Sequence, residues 1–287
     1  MSRNISGKIK INSFTDLVGG EDTGICEVPI KDLHEFKDHP FRVLDDAKME
    51  ETVESIKAYG VLMPGIVRPR IEGGYEIISG HRRRRACELA GLETMPVIIK
   101  NYNDDEATVI MVDSNIQRED ILPSEKARAY KMKYDAMKHQ GTAGGNSLNN
   151  IGEAAGESGK TVWRYICLSR LSDILLEFVD YKKIPLRAGV ELSYLKDKEQ
   201  EWLEAVLKET ESMVSMVQAE KIRKYSEEKE LNKTLIREIL SGDKEKHRSF
   251  IIRSERVADF FPDNTTAEEI EETIISLLEK WKKGGEM

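Results

Sequence analysis

The run Tyr75-Glu-Ile-Ile-Ser-Gly-His-Arg-Arg-Arg-Arg-Ala86 decides the fold of this chain. It starts with β-forming residues and changes after Gly80 to helix-forming ones, so it predicts a strand that meets a helix at a glycine. Such a junction suits a phosphate, because glycine lets the backbone come close, the first helical turn offers free N–H groups, and arginines donate paired hydrogen bonds. The four arginines are also compatible with a solvated helix face or with contacts to DNA phosphates, since Arg82 and Arg85 share one side of a helix.

The residues around this run predict a small α/β domain. Alternation of apolar residues and helical spacing, together with turn signals at glycines, separate strands from helices. The pattern predicts strands at 26–30, 65–70, 75–79 and 95–100, and helices at 45–59, 81–89, 103–115 and 124–139. Gly60 is expected to end the first helix, and Asn103 or Asp104 and then Ser124 to cap the last two. After Lys100 the β signal stops, and the rest of the chain reads as helical.

The predicted fold class is therefore α+β, with a small N-terminal α/β domain followed by an all-helical part. We expect a flexible N-terminal arm at 1–24, the α/β domain at 25–120, a helical DNA-binding domain at 121–200 with a break at 141–146, and a helical C-terminal region at 201–287. The last helix carries an apolar stripe that either packs on the preceding charged helix or covers its copy in a second subunit. The stripe consists of Ile270, Ile274, Leu277, Leu278 and Trp281.

Composition narrows the class of protein. The chain is 33% charged with a formal net charge of −8, so any binding to nucleic acid must come from local patches of positive charge. No run approaches the roughly 18 to 20 apolar residues of a membrane span, and the first residues lack a signal-peptide segment, so we expect no membrane association and a cytoplasmic protein. Cys26, Cys87 and Cys167 lie far apart, which argues against a disulfide framework and a cysteine zinc site.

Residues 147–171 carry the pattern of a helix-turn-helix. Ile151 lies on a first short helix together with Ala154 and Ala155, a turn is expected at Gly156 to Gly159, and Val162 and Ile166 face inward on a second helix. On the outer face of that second helix the pattern offers side chains able to bond phosphates or base edges in a major groove. These are Lys160, Thr161, Trp163, Arg164 and Tyr165. An ordinary helical hairpin is the alternative.

The string GESGKT at 156–161 imitates a phosphate-binding P-loop. The P-loop pattern requires a glycine where this chain has Ala154, and it follows a strand, whereas none is predicted here. The pattern therefore excludes a Walker-type ATPase.

Three segments together resemble the ParB family of partition proteins. The run at 80–86 resembles that family's G-E-R-R-x-R-A signature, residues 28–69 are similar to its opening segment, and 113–130 resembles its E-N-x-Q-R-E-D-L block. The likeness continues in order to about residue 195 and includes the helix-turn-helix.

The resemblance implies a ParB/sulfiredoxin-like fold that binds CTP and closes two subunits as a clamp around double-stranded DNA, after loading at a centromere-like site. By resemblance, the phosphates would be held by Gly80, Arg82 and Arg83, and the pocket would be lined by Pro64 to Arg68. The site would be completed by Asn115, Gln117 and Arg118, with Asn115 near Mg²⁺.

Two positions depart from the family pattern. His81 stands where the family has the glutamate after the glycine, and Ser114 stands where it has the glutamate of E-N-x-Q-R. A hydroxyl is a poorer ligand for a hard cation than a carboxylate, so Mg²⁺ would bind more weakly or would borrow Asp113 if the helix presents it. His81 would donate to a phosphate when protonated or would be an exposed cap residue. The sequence leaves open whether CTP is hydrolysed, even slowly.

These observations give three hypotheses. The first is a site-specific ParB-like DNA binder that serves segregation of a plasmid, chromosome or mobile element on the nucleoid, as a homodimer and with a ParA-like ATPase as a further candidate partner. The alternative is a nucleotide-independent DNA-binding transcriptional regulator of the same fold. A sulfiredoxin-like reductase is disfavoured, because it needs a reactive cysteine at the phosphate turn, and Cys87 lies more than a helical turn away.

Overall fold

The computed structural model describes residues 24–118, 120–141 and 147–242, and in the C-terminal part 260–262, 265–266, 269–270 and 273–277. The predicted arm up to residue 23, the predicted break at 142–146, and Leu278 and Trp281 of the apolar stripe lie outside these residues. The chain divides into two compact units, Met1–Ser241 and Gly242–Met287.

The first unit begins with a mixed five-stranded sheet. Its strands are β1 (Ile25–Pro29), β2 (Leu33–His34), β3 (Gly65–Pro69), β4 (Tyr75–Ser79) and β5 (Thr94–Ile99), in the order β1-β5-β3-β4-β2. Strand β5 pairs antiparallel with β1 and parallel with β3, while β4 pairs antiparallel with β3 and parallel with β2. The four predicted strands are confirmed. Strand β2 was not predicted, because two residues are too short to show an alternating pattern.

The remaining elements of the first unit are helical, apart from a 3₁₀ turn at Ile30–Asp32. The helices are α1 (Ala47–Tyr59), α2 (His81–Ala90), α3 (Asp104–Asn115), α4 (Pro123–His139), α5 (Ser147–Glu153), α6 (Gly159–Leu168), α7 (Asp173–Asp180), α8 (Leu186–Leu192), α9 (Asp197–Thr210), α10 (Met216–Glu227) and α11 (Lys233–Gly242). The predicted α+β class, with a small sheet domain followed by helices, is confirmed.

The ends of the helices follow from local side-chain chemistry. Asp46 begins α1 by accepting a hydrogen bond from the backbone N–H of Met49 at 2.9 Å, and Asn103 begins α3 with a reciprocal capping box to Glu106. The predicted cap at Ser124 is wrong. Helix α4 starts one residue earlier at Pro123, and both the hydroxyl and the backbone N–H of Ser124 donate to Asp180 of α7, at 2.6 and 2.9 Å.

The sheet is covered on both faces, because successive residues of a strand point to opposite sides. Val67 and Ile77 pack with α1 and α2 on one face, whereas Ile66 and Ile78 pack with α3 to α6 on the other. A third apolar cluster is built by helices α6 to α11. The cluster that contains Ile66 and Ile78 also contains Ile151, Val162 and Ile166 of the predicted helix-turn-helix. Apolar side chains from before and after residue 120 therefore pack together. The domain joints predicted near 120, 142 and 200 stay predictions.

In the second unit, Thr266 and Glu269 exchange hydrogen bonds between side chain and backbone, at 2.9 and 3.3 Å. Thr266 therefore caps a helix, and residues 273–277 are helical. Within the described part of the chain, no helix is both long and apolar enough to cross a membrane.

Candidate functional site

Gly80 forms a sharp junction between β4 and α2. Its backbone has φ +115° and ψ 17°, a region that disfavours residues with a side chain. A Cβ at this position would lie 3.2 Å from the Cα of Gly65 and 3.4 Å from the guanidinium carbon of Arg83. No side chain among the described residues caps α2. The N–H groups of its first turn and the glycine junction therefore form a cradle that suits an anion.

Arg83 lies at this cradle and spans to the turn before β3. Its Nη1 donates to the backbone carbonyls of Met63 at 2.5 Å and Pro64 at 2.6 Å. Burial lowers the pKa of the Arg83 guanidinium. The structure therefore brings together Gly80, Arg83 and Pro64, three residues that the family resemblance implied for the nucleotide site.

The other arginines of α2 are paired with carboxylates. Arg82 contacts Asp46 at 3.2 Å, Arg85 contacts Asp45 at 2.6 Å, and Arg84 contacts Glu88 at 2.8 Å. The bonds from Arg85 and Arg82 lower the pKa of Asp45 and of Asp46, respectively. Since the acids at the start of α1 and within α2 neutralise these cations, α2 is not an open cationic face for DNA.

Arg68 belongs to the opposite end of β3 from Gly65, about 10 Å away along the strand. Its guanidinium bonds Glu76 at 2.5 Å, Asp104 at 2.7 Å and the carbonyl of Tyr102 at 3.4 Å. Arg68 thus joins β3, β4 and the start of α3, and the structure does not bring it to the Gly80 turn.

His81 is a buried residue at the start of α2. Only 8% of it is exposed, its ring lies 3.8 Å from the ring of His39, and its Nε2 accepts a 3.5 Å hydrogen bond from the backbone N–H of Phe36. Burial and the neighbouring His39 hold the pKa of His81 well below its usual value. The expectation of an exposed cap residue is wrong, and the neutral ring does not fit a protonated phosphate donor.

The block that ends α3 is held mainly by bonds within the protein. Ser114 Oγ and Asn115 Nδ2 both donate to the carbonyl of Met111, at 3.0 and 2.9 Å. Gln117 Nε2 donates at 2.8 Å to the carbonyl of Ala154, in the helix-turn-helix. Burial lowers the pKa of His39, and the positive charge of Arg118 adds a smaller lowering.

Asp113 does not serve as a spare metal ligand. Its carboxylate forms a buried ion pair with Lys133 of α4, and burial raises its pKa despite that partner. In the described part of the chain, no group of three or more His, Cys, Asp or Glu side chains could hold a metal ion. The amide of Asn115 and the hydroxyl of Ser114 are a weak set for Mg²⁺, which is usually held by carboxylates and substrate phosphates.

Helices α5 and α6 form the predicted helix-turn-helix. Ile151, Val162 and Ile166 are buried, Gly156 turns the chain with φ +66°, and Ser158 caps α6 by accepting from Thr161 N at 3.3 Å. Ala154 and Ala155, expected on the first helix, belong to the turn. A helix rather than a strand precedes the GESGKT string, which agrees with the exclusion of a P-loop.

The outer side of α6 presents cations without acidic partners. Lys160 is exposed and Arg164 is half-buried, and neither forms an ion pair with a described residue. Thr161 is half-buried, with its hydroxyl 3.0 Å from that of Ser158. Trp163 is 39% exposed. This contrasts with α2, whose charges are neutralised, and makes α6 the candidate DNA-reading element.

Tyr165 was wrongly expected on this outer face. Its ring packs between two of the apolar clusters, 5.9 Å from the ring of Tyr130 and beneath the Lys126 ammonium, and burial raises its pKa. The apolar stripe of α6 is wide enough to include this position, because the helix is covered by α4 on one side and by later helices on another. The spacing of apolar residues predicted only Val162 and Ile166 on the inner side of this helix.

Comparison with known proteins completes the picture of the site. The ParB N-terminal domain family matches residues 16–116, which include the Gly80 turn and, from the block that ends α3, Ser114 and Asn115. A nucleoid occlusion protein of Halalkalibacterium halodurans is 32% identical over 62% of this chain and 60% of its own length. The chromosome-partitioning protein ParB of Myxococcus xanthus is 38% identical over 48% of this chain and 47% of its own. The chain belongs to the ParB family.

The likeness covers less than two thirds of the length of each of these two relatives. Among solved structures, a C-terminally truncated ParB of Caulobacter crescentus complexed to the centromeric parS site matches 69% of this chain and 98% of its own, with 24% identity and a TM-score of 0.43. The same truncated protein complexed with CTP-γ-S matches 65% and 98%, with 27% identity and a TM-score of 0.32.

Proposed function

We propose that this chain is a site-specific DNA-binding partition protein of the ParB family, which serves segregation of a plasmid, chromosome or mobile element on the nucleoid. The observation that carries the proposal is the outer side of α6, where Lys160 and Arg164 stand unpaired beside a capped turn. In an otherwise acidic protein, unpaired cations on a helix-turn-helix suit the phosphates and base edges of a major groove. The names of the relatives, chromosome-partitioning and nucleoid occlusion proteins, agree with this role.

We further propose that the Gly80 turn binds the phosphates of CTP as a switch ligand. The uncapped start of α2 supplies N–H groups, and Arg83 lies beside them. A bound phosphate would compete with the carbonyls of Met63 and Pro64 for Arg83 and with Asp46 for Arg82. We infer from membership of the ParB family that the base of the nucleotide is cytosine. Nucleotide binding would then close two subunits into a clamp around DNA.

Mg²⁺ is proposed to arrive with the nucleotide. Its ligands would be phosphate oxygens, with Asn115 as the protein's contribution, because Ser114 replaces a carboxylate and Asp113 is paired with Lys133. We infer that any CTP hydrolysis is slow for the same reason.

A second candidate function is a nucleotide-independent transcriptional regulator. Ser114 and the neutral, buried His81 favour it, because both replace residues of the family's nucleotide site. A regulator of this kind would occupy its DNA site equally with and without CTP. The first proposal also includes a homodimer and a ParA-like ATPase as partner. It keeps the predicted domain limits at 25–120, 121–200 and 201–287.

The first experiment is calorimetric titration of the full chain with CTP, and with ATP and GTP as controls, at millimolar Mg²⁺ and with DNA from its own locus. Binding of CTP alone would support the clamp. Absence of binding by any nucleotide, together with unchanged DNA occupancy, would favour the regulator.

The division of labour between the two sites is tested by a pair of arginine variants. Arg83→Ala should abolish nucleotide binding and leave binding to a short duplex largely intact, because Arg83 lies at the Gly80 turn. Arg164→Ala should do the reverse and weaken selective DNA binding by about 1–3 kcal/mol if it contacts a base edge. Calorimetry and fluorescence anisotropy measure the two affinities. Equal loss of duplex binding in both variants would contradict the assignment.

A further inference from the structure

Arg170, just beyond the end of α6, is an exposed cation held by two aromatic rings. Its guanidinium carbon lies 5.8 Å from the ring centre of Trp163 and 5.7 Å from that of Tyr194. Its backbone is fixed as well, since its carbonyl accepts a 3.1 Å hydrogen bond from Gln200 Nε2. No carboxylate among the described residues pairs with it. The position of this charge is therefore set by ring contacts rather than by an ion pair.

Tyr194 is held in turn by Arg223 of α10. The Arg223 guanidinium lies 4.0 Å from the ring centre and bonds Glu191 at 2.7 Å and Glu227 at 2.9 Å. Two carboxylates thus neutralise Arg223, which acts as a support for the ring. In the series Trp163, Arg170, Tyr194 and Arg223, only Arg170 keeps an uncompensated charge.

An arginine that contacts aromatic rings and has no carboxylate partner keeps N–H groups for another acceptor. Because guanidinium matches the geometry of phosphate, and because a helix in the major groove is bordered by the sugar-phosphate backbone, a phosphate is the acceptor that fits. Trp163 shares α6 with Lys160 and Arg164, so Arg170 continues the same cationic surface toward its edge.

We infer that Arg170, positioned by Trp163 and Tyr194, contacts a phosphate of duplex DNA beside the groove that α6 enters. This rests on the proposed DNA-binding function. It also changes the role predicted for Trp163, which becomes a positioning residue for Arg170 instead of a reader of bases. Arg170 contributes affinity without sequence preference, whereas Arg164 contributes selectivity.

The test uses the full chain and two labelled duplexes, one selected by the wild type from a random-sequence pool and one with the same composition in shuffled order. Arg170→Ala should weaken binding to both duplexes by the same factor, on the order of tenfold. The slope of log affinity against log salt should become shallower by about 0.9 for each bound subunit. Arg164→Ala should instead reduce the ratio between the two duplexes.

Ring and charge variants separate positioning from bulk effects. Tyr194→Leu, which removes the ring, should lower affinity for both duplexes in the manner of Arg170→Ala, and Tyr194→Phe should rescue it. Lys198→Ala removes another exposed cation that lies over an aromatic ring, Trp202, on α9, and should leave affinity and slope unchanged. Thermal unfolding shows whether each variant is folded.

Three results would overturn the inference: an unchanged salt slope in Arg170→Ala, an equal loss in Lys198→Ala, or no rescue by Tyr194→Phe. If the wild type bound neither duplex, both the proposed function and this inference would fail. If the wild type bound selectively and Arg170→Ala bound both duplexes as tightly as the wild type, only this inference would fail.

Discussion

Gly80 has φ +115°, and the space where a side chain would stand is occupied by Gly65 and Arg83. The two glycines let β3 and the start of α2 approach each other, and the guanidinium of Arg83 closes the third side. At the scale of single residues, the candidate phosphate site therefore depends on the absence of side chains as much as on the charge of Arg83. The place of Gly80 at the junction of β4 and α2 could be predicted from sequence, because the change from strand-forming to helix-forming residues is local.

Gly80→Ala should destabilise the protein more than Gly91→Ala. Gly91 also has positive φ, at +75°, but no atom lies within 4 Å of its missing Cβ, so its substitution costs only the strain of a left-handed residue, about 1–2 kcal/mol. Gly80→Ala combines a φ of +115°, which lies farther from the left-handed region open to alanine, with the 3.2 Å contact to Gly65. Urea unfolding measures both free energies. An equal loss in the two variants would show that the close approach at Gly80 has no energetic weight.

The adjacent, tilted rings of His39 and His81 should make the protein less stable in mild acid. Burial lowers the pKa of both rings in the folded chain, whereas histidine in an unfolded chain has a pKa of about 6.5. As pH falls below that value, the unfolded chain binds more protons than the folded one, so the free energy of unfolding decreases.

The urea midpoint should therefore fall between about pH 8 and about pH 5.5, above the range where most carboxylates titrate. His39→Phe keeps a ring beside His81 and removes one titrating group, so it should flatten this dependence. His139→Gln, at an exposed position, is the matched control and should retain the wild-type profile. A urea midpoint that does not change with pH would show that His39 and His81 do not cause a loss of stability in mild acid.

At the scale of elements, helices α3 and α4 are joined to the helix-turn-helix by polar contacts. Lys133 pairs with Asp113 and donates to the carbonyl of Ile151 at 3.3 Å, while Gln117 bonds the carbonyl of Ala154 at 2.8 Å. Glu157, in the turn itself, accepts from the hydroxyl of Tyr130 at 2.9 Å. The block predicted to face the nucleotide is thus mechanically tied to the DNA-reading turn.

The elements themselves could be predicted, because strands, helices and caps follow from neighbouring residues. Met49, Val53 and Ile56 lie at helical spacing along α1, and all three are buried. Contacts between distant segments could not be predicted in this way. Three features depend on which helices meet: the pairing of Asp45 and Asp46 with the arginines of α2, the burial of Tyr165, and the partner of Asp113. The sequence does not show that Lys133 is that partner, because a buried lysine cannot be distinguished from an exposed one by its neighbours in the chain.

The ion pair between Asp113 and Lys133 should be costly to break from one side. Only 12% of the Asp113 side chain and 4% of that of Lys133 are exposed. Lys133→Met would leave a buried carboxylate without its partner, and we expect a loss of about 3–5 kcal/mol. The double variant Asp113→Leu with Lys133→Met removes both charges and should recover most of that loss. Urea unfolding of the single and double variants measures this coupling, and additive losses would show that the pair is not coupled.

At the scale of the whole molecule, positive charge is available for DNA in few places. The net charge is −8, and Arg82, Arg84 and Arg85 of α2 are neutralised by nearby acids. A protein of this kind gains little from bulk attraction to DNA and must gain affinity by placing a few cations accurately, or by binding with two copies at once. The second route makes the oligomeric state part of the function.

The residues beyond Gly242 are expected to supply the dimer contact. In this second unit Leu277 of the predicted stripe is 54% exposed, and an apolar stripe of this kind needs a cover. The first unit has apolar clusters of its own. A chain that ends at Gly242 should therefore fold and be monomeric, while the full chain is a dimer by sedimentation equilibrium.

Loss of the dimer should affect DNA sites according to their symmetry. Two linked helix-turn-helix units bind two half-sites in one event, so the shortened chain should bind a duplex with two half-sites more weakly than the full chain but should bind a single half-site with equal affinity. Leu277→Asp in the full chain keeps the length and should reproduce the monomer, because a carboxylate opposes burial of the stripe. If Leu277→Asp stays dimeric while the shortened chain does not, the contact lies elsewhere beyond Gly242; a dimeric shortened chain would place it in the first unit.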